Sequence, residues 1–278
     1  MLITGGNDGI GKQTAIGLAK KGATIIIACR KMEKAEKAVE TIIKASDNDR
    51  VAAIPLDLVS FDSIRRCAER FQSEHDRLDV LVNNAGLFTS NLQKTDEGFE
   101  LQFGVNHLGH FLLTKLLLPQ LLAAPAPRVL HVSSKGHFGG SIDWGNLRGE
   151  RGQEAYQGLA AYAQSKLANV LFARELARRY PQISSNALHP GVVRTSIANK
   201  GGNFWISLGW TIGKLFMISE ERGAQTSIYL ASSPEVADVS GQYFDENQEQ
   251  RFPSRKAQDD ALAEKLWEVS EQFIADFG

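Results

Sequence analysis

A tyrosine and a lysine four residues apart are the first residues in this sequence whose types and spacing suggest chemistry. They are Tyr162 and Lys166, within the helix-favouring run AYAQSKLANV (161–170). On a helix, positions i and i+4 share a face, so the phenol and the ammonium become neighbours. A nearby positive charge lowers the pKa of a tyrosine from about 10 and makes it a usable general acid or base. The same spacing also fits an exposed surface pair.

A glycine-rich stretch, TGGNDGIG (4–11), follows the first apolar run and opens a helical one. Gly5, Gly9 and Gly11 allow a tight turn, a close approach to a phosphate and packing of the helix on a sheet. The helix N-terminus adds free N–H groups and a positive dipole end, which favour a pyrophosphate. A tight strand-to-helix connection would also explain these glycines, but their place after the first strand favours a dinucleotide site.

The second predicted strand ends in two basic residues, Arg30 and Lys31. An NAD-binding protein usually offers an acid to the ribose hydroxyls here, whereas an arginine accommodates a 2′-phosphate. A solvated cation is the alternative, but it would leave the ribose without an acidic partner at this position. The residues therefore predict NADP(H) as the cofactor, with NAD(H) less favoured.

Short apolar runs alternate with longer helical stretches along the chain. The predicted strands are residues 1–4, 23–29, 51–57, 78–86, 128–134, 183–191 and 241–244. Helical periodicity marks the stretches between them, with one long helix around 99–122, one capped by Ser60 and one that begins near Ser219. This alternation predicts an α/β fold over residues 1–278, a single-domain Rossmann-type doubly wound parallel sheet with helices on both faces.

Polar and glycine-rich clusters follow the predicted strands, and all of them fall at the same edge of such a sheet, where ligands bind. The clusters are TGGNDGIG, CRK, LDL, NNAG, VSS and HPG. Their common location supports a binding site more strongly than any single cluster does.

Composition and charge narrow the partners and the compartment. The net charge of −1, from 31 Lys+Arg and 32 Asp+Glu, argues against nucleic-acid binding driven by bulk electrostatics. Cys29 and Cys67 lack CxxC or metal spacing, so we expect neither a disulfide framework nor a metal site. The N-terminus does not resemble a signal peptide, and the apolar run 204–218 is too short to span a membrane. We expect a cytoplasmic protein, with peripheral membrane contact through that run left open.

Six ordered motifs resemble those of the short-chain dehydrogenase/reductase family over nearly the whole chain. They are TGGNDGIG, NNAG (83–86), VNHLGHF (105–111), VSS (132–134), YAQSK (162–166) and HPGVVRT (189–195). NHLGHF, a histidine soon after VSS and the run YxQSKLANVLFxREL are similar to the retinol dehydrogenase-like subgroup. So is the long separation between Ser134 and Tyr162, although residues 139–158 within it receive no role from the sequence.

The resemblance implies an oxidoreductase that interconverts a carbonyl and an alcohol, with four catalytic residues. Ser134 would hydrogen-bond the substrate oxygen, and Tyr162 would give or take the proton. Lys166 would hold the nicotinamide ribose hydroxyls and lower the pKa of the tyrosine. Asn106 would hold a water that links Lys166 to solvent. This agrees with the chemistry itself, because hydride delivery leaves negative charge on the carbonyl oxygen, which needs donors already in place.

The resemblance also implies the cofactor contacts. Asp57 would meet the adenine amino group, Asn83 and its neighbours would line the cofactor, and the HPG loop would flank the nicotinamide and the phosphates. The full set is Gly5, Asn7, Gly9, Ile10, Gly11, Arg30, Lys31, Asp57, Leu58, Asn83, Ala85, Gly86, Tyr162, Lys166, Pro190, Gly191, Val193 and Thr195. Asp8 departs from the family's usual serine, and an acid is unfavourable beside a pyrophosphate unless it points away or caps the helix.

A tryptophan-rich apolar segment after the HPG loop suggests a substrate lid at about 196–220. It carries Trp205, Leu208, Trp210, Leu215, Phe216 and Met217. Such a lid predicts a small lipophilic carbonyl or alcohol substrate, such as a retinoid-like or steroid-like compound. Alternatively, the segment packs on the core or on a second subunit of a homo-oligomer.

The sequence gives less support to a metal site, a hydrolase or a non-catalytic protein. His107 and His110 lack a third metal ligand within sequence reach, which favours a packing role, and His189 is interpreted as structural. His137 either borders the pocket or lies on a surface loop. A Ser-His-Asp hydrolase would need a GxSxG elbow, which the sequence lacks. The remaining alternative is a non-catalytic NADPH-binding sensor or scaffold, against which the intact catalytic set argues.

Overall fold

The described part of the chain folds around one eight-stranded sheet with the order β3-β2-β1-β4-β5-β6-β7-β8. The computed structural model describes residues 1–191, 218–275 and 277. The strands are β1 (Leu2–Thr4), β2 (Ile25–Cys29), β3 (Val51–Pro55), β4 (Val80–Asn83), β5 (Arg128–Val132), β6 (Ser184–Leu188), β7 (Tyr243–Phe244) and β8 (Gln250–Arg251). Neighbouring strands are parallel except β7 and β8. The strand order reverses between β1 and β4, which creates the switch point where doubly wound sheets bind ligands.

Helices cover both faces of this sheet. They are α1 (Gly9–Lys20), α2 (Met32–Ser46), α3 (Phe61–Glu74), α4 (Leu101–Phe103), α5 (Gly109–Leu116), α6 (Leu118–Leu122), α7 (Gly158–Arg179), α8 (Glu220–Ser232) and α9 (Asp260–Ile274). Successive strand residues point to opposite faces, so Leu2 joins the apolar layer under α3, α5, α7 and α9. Ile3 joins the layer under α1, α2 and α8. The predicted doubly wound fold is confirmed.

Two helices begin where the sequence predicts them, after Ser60 and near Ser219. Ser60 accepts a hydrogen bond from the Ser63 N–H at the start of α3, and Ser219 accepts one from the Arg222 N–H at the start of α8. Each hydroxyl satisfies a backbone donor that has no partner within its own helix. The two predicted starts are confirmed.

The long helix predicted around 99–122 is interrupted twice. A π-helical turn, Gly104–Leu108, separates α4 from α5, and Leu117 separates α5 from α6. Pro119 lacks an N–H, which the first turn of α6 tolerates better than a helix interior would. Single π-helical turns occur frequently at functional sites, and this one contains Asn106.

Two C-terminal elements escaped the sequence analysis, strand β8 and helix α9. Trp267 of α9 packs edge-on against Phe111, with ring centroids 4.9 Å apart, and lies 5.8 Å from Phe172. The start of α9 carries an ordinary signal, because Asp259 accepts from the Leu262 N–H at 3.0 Å. Residues 196–217 of the predicted lid lie outside the described residues. Within the described part of the chain, every helix is too short or too polar to cross a membrane.

Candidate active site

Ser134, Tyr162 and Lys166 meet at the carboxyl end of β5. Ser134 is the second residue after β5, while Tyr162 and Lys166 lie one turn apart on α7. A hydrogen bond joins the Ser134 hydroxyl to the Tyr162 phenol. The Lys166 ammonium lies 5.6 Å from the centroid of the Tyr162 ring. The hydroxyl groups of Ser134 and Tyr162 and the ammonium of Lys166 therefore lie close together.

The predicted lowering of the tyrosine pKa is wrong for this structure. Burial raises the pKa of Tyr162, because the phenolate loses hydration, and the hydrogen bond from Ser134 only partly opposes this effect. Desolvation therefore outweighs any attraction between the phenolate and the Lys166 charge. Consequently Tyr162 holds its proton at neutral pH, which is the form that a proton donor requires.

Lys166 is a buried cation, with 4% of its surface exposed. Its Nζ donates to the carbonyl of Val132 at 3.1 Å, and burial lowers its pKa to about 8. An ammonium has three donors, so the bond to Val132 leaves donor capacity for a ligand. A Cβ added at Gly86 would lie 3.3 Å from this Nζ, so the glycine keeps the space beside the ammonium open. The site thus fits a polyhydroxyl group such as a ribose.

Asn106 is fully buried in the π-helical turn and joins two parts of the site. Its Nδ2 donates to the carbonyl of Leu87 at 3.0 Å and to the Ser165 hydroxyl at 2.9 Å. Its Oδ1 accepts from the Leu87 N–H at 2.9 Å. The backbone carbonyl of Asn106 lies 3.1 Å from Nδ1 of His110. The amide therefore fixes the loop after NNAG against α7.

The glycine-rich turn has the shape of a phosphate cradle. Gly5 and Gly9 have φ of +66° and +53°, in the left-handed region that favours glycine. A Cβ at Gly11 would lie 2.5 Å from the Gly5 carbonyl oxygen, so close backbone approach excludes a side chain there. Asp8 caps α1 by accepting from the Gly9 N–H at 2.9 Å, the benign arrangement that the sequence analysis allowed. The turn fits a pyrophosphate at a helix N-terminus.

Two other predicted cofactor residues belong to the same turn. Asn7 is half-buried and its backbone N–H hydrogen-bonds the Cys29 thiol, while Ile10 is half-buried in the first turn of α1. The thiol thus ties the turn to the end of β2. Burial raises the pKa of Cys29 to about 11, so this group stays a neutral thiol at physiological pH.

A buried threonine joins the glycine-rich turn to the NNAG loop across the switch point. Thr4 Oγ1 accepts from the backbone N–H groups of Asn84 and Ala85, each at 2.9 Å, and lies 2.9 Å from Nε2 of His110. Asn83 is buried beside this junction, where its Nδ2 donates to the Thr114 hydroxyl at 3.1 Å. The sequence patterns give no individual role to Thr4 or Asn84 and only a packing role to His110, because hydrogen bonds between distant segments leave no local pattern.

The residues expected near the adenosine half lie at the ends of β2 and β3. Arg30 is 57% exposed at its side chain, and its Nε lies 4.0 Å from Oδ2 of Asp57. Such an exposed pair contributes little to stability, so the guanidinium remains available to a ligand. Lys31 precedes α2, whereas Leu58 is buried against Gly109. The cation predicted to bind a 2′-phosphate thus lies at the expected edge of the sheet.

The HPG loop follows β6 at the same edge of the sheet. His189 Nδ1 lies 2.7 Å from the Tyr243 hydroxyl, and its Nε2 lies 2.6 Å from Oε2 of Glu246. These contacts anchor the backbone that leads into Pro190 and Gly191, and Gly191 has φ of +82°. The structural interpretation of His189 agrees with this placement. Val193 and Thr195 lie outside the described residues.

The other histidines weighed in the sequence analysis are buried. His107 Nε2 lies 3.0 Å from the Ser270 hydroxyl of α9, and burial lowers the His107 pKa to about 3. His137 is also buried rather than on a surface loop, and its Nδ1 lies 2.7 Å from the backbone carbonyl of Ser134. His107 thus has the packing role that its sequence context favoured, and His137 supports the serine loop.

The fold and the site together define a class, the Rossmann-type dinucleotide-binding proteins with a serine, tyrosine and lysine cluster. The sequence profile described as "short chain dehydrogenase" matches residues 1–203. The chain belongs to the short-chain dehydrogenase/reductase family, as the ordered motifs predicted.

Curated relatives refine this placement. Human retinol dehydrogenase 13 is 45% identical over 280 residues, covering 99% of this chain and 84% of the relative. Human retinol dehydrogenase 14 is 42% identical over 299 residues, covering 99% of this chain and 85% of the relative. The predicted resemblance to the retinol dehydrogenase-like subgroup is confirmed.

Solved structures agree with the fold. An uncharacterized protein from Mycobacterium paratuberculosis is 35% identical with a TM-score of 0.79, covering 99% of this chain and 92% of that one. A short chain dehydrogenase from Shigella flexneri, complexed with NADP, is 25% identical with a TM-score of 0.70, covering 88% and 95%. The chain is an oxidoreductase acting on CH–OH groups with a nicotinamide dinucleotide, which favours the enzyme over a non-catalytic scaffold.

Proposed function

We propose that this protein uses NADP(H) to interconvert a lipophilic carbonyl compound and its alcohol, with a retinoid-like or steroid-like substrate. The observation that carries the proposal is the cluster of the half-buried Ser134 and Tyr162 with the buried Lys166 beside the glycine-rich turn. The relatives named retinol dehydrogenases support the substrate class. Arg30 and the relative complexed with NADP support the phosphorylated cofactor.

In the proposed chemistry the hydroxyl groups of Ser134 and Tyr162 have different roles. The bound cofactor supplies or accepts the hydride. Ser134 and Tyr162 donate hydrogen bonds to the substrate oxygen, where negative charge develops during reduction. Tyr162 then gives its proton to that oxygen, and it takes a proton from the alcohol in the reverse direction. The raised pKa of Tyr162 favours its protonated form and therefore suits it to reduction.

Lys166 and Asn106 support the proton transfer in this proposal. Lys166 binds the ribose hydroxyls, and its pKa of about 8 leaves it charged in neutral solution. The backbone carbonyl of Asn106 would hold a water between Lys166 and solvent. His110 Nδ1 lies 3.1 Å from the same carbonyl oxygen and competes with the water for it. A proton given up by Tyr162 would return by this route.

The remaining contacts follow the dinucleotide along the sheet edge. Residues of the glycine-rich turn bind the pyrophosphate, Arg30 binds the 2′-phosphate and Asp57 meets the adenine. The HPG loop flanks the nicotinamide. The proposed cofactor set is Gly5, Asn7, Gly9, Ile10, Gly11, Arg30, Lys31, Asp57, Leu58, Asn83, Ala85, Gly86, Tyr162, Lys166, Pro190, Gly191, Val193 and Thr195.

A substrate panel tests the proposal. We expect NADPH fluorescence to fall with retinaldehyde, a steroid ketone or decanal, and kcat/KM to exceed that for propanal by at least about tenfold. The reason is that each additional 100 Å² of buried apolar surface contributes roughly 2.5 kcal/mol. Reactions without enzyme serve as the control. Equal kcat/KM for propanal and every large substrate would rule out a lipophilic specificity.

A further inference from the structure

Phe88 lies beside the proposed acid but has no part in the chemistry described above. It is half-buried in the loop that follows NNAG. Its ring meets the ring of Tyr162 edge-on, with centroids 5.9 Å apart and an interplanar angle of 77°. Because Phe88 and Tyr162 are both half-buried, the aromatic ring of Phe88 presents an apolar surface to a molecule that approaches the phenol.

Hydrogen bonds hold the Phe88 backbone on its N-terminal side. Leu87 exchanges two bonds with the Asn106 amide, through its N–H at 2.9 Å and its carbonyl at 3.0 Å. Asn106 in turn donates to Ser165 of α7, the helix that carries Tyr162. Asn106 therefore fixes the position of the loop relative to the helix that carries Tyr162.

Gln102 holds the backbone on the other side of Phe88. Its Nε2 donates to the carbonyl of Thr89 at 3.2 Å and to the carbonyl of Gly158, the first residue of α7, at 2.9 Å. A Cβ at Gly158 would lie only 2.4 Å from the Thr89 oxygen, so the loop touches the start of α7 directly. Phe88 is thus held between two amide side chains that both also bind α7.

Tyr156 completes this support from the segment between the serine and tyrosine motifs. Its hydroxyl accepts from Gln102 Nε2 at 2.8 Å and donates to Glu100 Oε1 at 2.7 Å. Glu100 is only 2% exposed and also accepts from the backbone N–H groups of Gln102 and Phe103. Burial raises the pKa of Glu100, and a buried carboxylate is costly unless such donors satisfy it. Loss of the Tyr156 hydroxyl would therefore disturb both Glu100 and Gln102.

Further contacts anchor the same segment to residues 97–100. The Arg148 guanidinium stacks on Phe99, 3.9 Å from the ring centroid, and donates to the carbonyl of Glu97 at 2.7 Å. The Glu100 N–H also donates to the carbonyl of Leu147 at 3.0 Å. Residues 139–158, which received no role from the sequence, thus hold residues 97–102, and Gln102 of that segment binds the loop that carries Phe88.

We propose that Phe88 contacts the substrate beside Tyr162 and determines selectivity for large apolar carbonyl compounds, and that Tyr156 is a positioning residue for Phe88. This inference rests on the proposed function and adds a specificity determinant to it. The substrate class that Phe88 recognises is one with an apolar chain or ring next to the reacting carbonyl. Tyr156 acts through Gln102 and touches neither substrate nor cofactor.

Three variants test the Phe88 contact in the full-length enzyme. We expect Phe88→Ala to lower the ratio of kcat/KM for retinaldehyde over propanal at least about tenfold, mainly through KM for retinaldehyde, with Phe88→Leu intermediate. Leu122→Ala, a partly exposed leucine at the end of α6, is the control and should leave the ratio unchanged. An unchanged ratio in Phe88→Ala, with wild-type NADPH affinity and unfolding temperature, would overturn the proposal.

A double-mutant cycle tests the positioning role of Tyr156. Tyr156→Phe keeps the ring and removes the hydroxyl, so we expect the same ratio to fall, while the double variant Tyr156→Phe/Phe88→Ala falls no further than Phe88→Ala alone. A purely structural role would instead affect both substrates equally and add to the Phe88 effect, whereas a lower unfolding temperature is expected in either case because Glu100 loses a donor. An equal effect on both substrates that adds to the Phe88 effect would overturn the positioning assignment.

A binding titration separates this inference from the proposed chemistry. Retinoic acid, which lacks a carbonyl that the enzyme can reduce, quenches protein fluorescence on binding and needs no turnover. We expect its Kd to rise at least about fivefold in Phe88→Ala relative to wild type. Equal affinity would overturn the contact even if turnover is normal, whereas weakened binding without turnover in the wild type would leave Phe88 supported and the proposed function rejected.

Discussion

The Tyr162→Phe variant is expected to lose about 10²–10⁴-fold in kcat, because removal of a general acid typically has this effect. NADPH affinity should remain close to wild type, since the glycine-rich turn and Lys166, which bind the pyrophosphate and the ribose in this proposal, are unchanged. Ser134 would still donate to the substrate oxygen, so a small residual rate is expected. The measurement is kcat on the best substrate of the panel, combined with an NADPH titration.

Tyr229→Phe is the matched control for this variant. Tyr229 lies on α8, where its hydroxyl donates to Glu235 at the surface, and the same substitution there should leave kcat unchanged. A Tyr162→Phe enzyme with near-normal kcat would mean that another group supplies the proton. Joint loss of activity and NADPH binding would point to misfolding, which a wild-type unfolding temperature would exclude.

The Arg30→Asp variant is expected to weaken NADPH binding about 10- to 100-fold and to leave NADH binding unchanged or tighter, because an acid at this position suits the ribose hydroxyls of NADH. A charge-assisted hydrogen bond to a phosphate contributes roughly 1.5–3 kcal/mol, and only NADPH carries the 2′-phosphate. The exposed guanidinium at the end of β2 is free to make this contact because its pairing with Asp57 is long, at 4.0 Å. Fluorescence titration of both nucleotides measures the change.

The control for the cofactor prediction is Arg66→Asp, which reverses an exposed charge on α3 away from the strand ends. It should affect the two nucleotides equally and only slightly, through long-range electrostatics that salt screens. If Arg30→Asp binds NADPH as tightly as the wild type, the 2′-phosphate is recognised elsewhere and the preference for NADP(H) loses its basis.

The fold was predictable because its signals are local. The apolar run ending at Cys29 is continuous, as expected for a strand buried on both faces, and the structure buries every residue of β2. Ser60 and Ser219 mark helix starts through a hydroxyl that reaches its own first turn. Ligand-edge clusters were likewise predictable, because in a parallel sheet all strands end at the same edge.

Most of what the sequence did not predict depends on contacts between distant parts of the chain, with helix α9 as the exception. The tyrosine pKa is set by burial of Tyr162, which a spacing of four residues does not reveal. Tyr156 reaches Glu100 across 56 positions, and neither residue belongs to a recognisable motif. Helix α9 carries a cap at Asp259 and an apolar face. These local signals were sufficient to predict the helix from the sequence.

The most direct test of the central claim follows the hydride itself. Retinaldehyde is incubated with enzyme and NADPH that carries deuterium at the transferable position of the nicotinamide, and the alcohol is analysed by mass spectrometry. The account predicts retinol with one deuterium per molecule, formed faster from this cofactor than from the matching deuterated NADH, and almost absent with Tyr162→Phe. Retinol without deuterium, or no alcohol from retinaldehyde or any other lipophilic carbonyl, would contradict it.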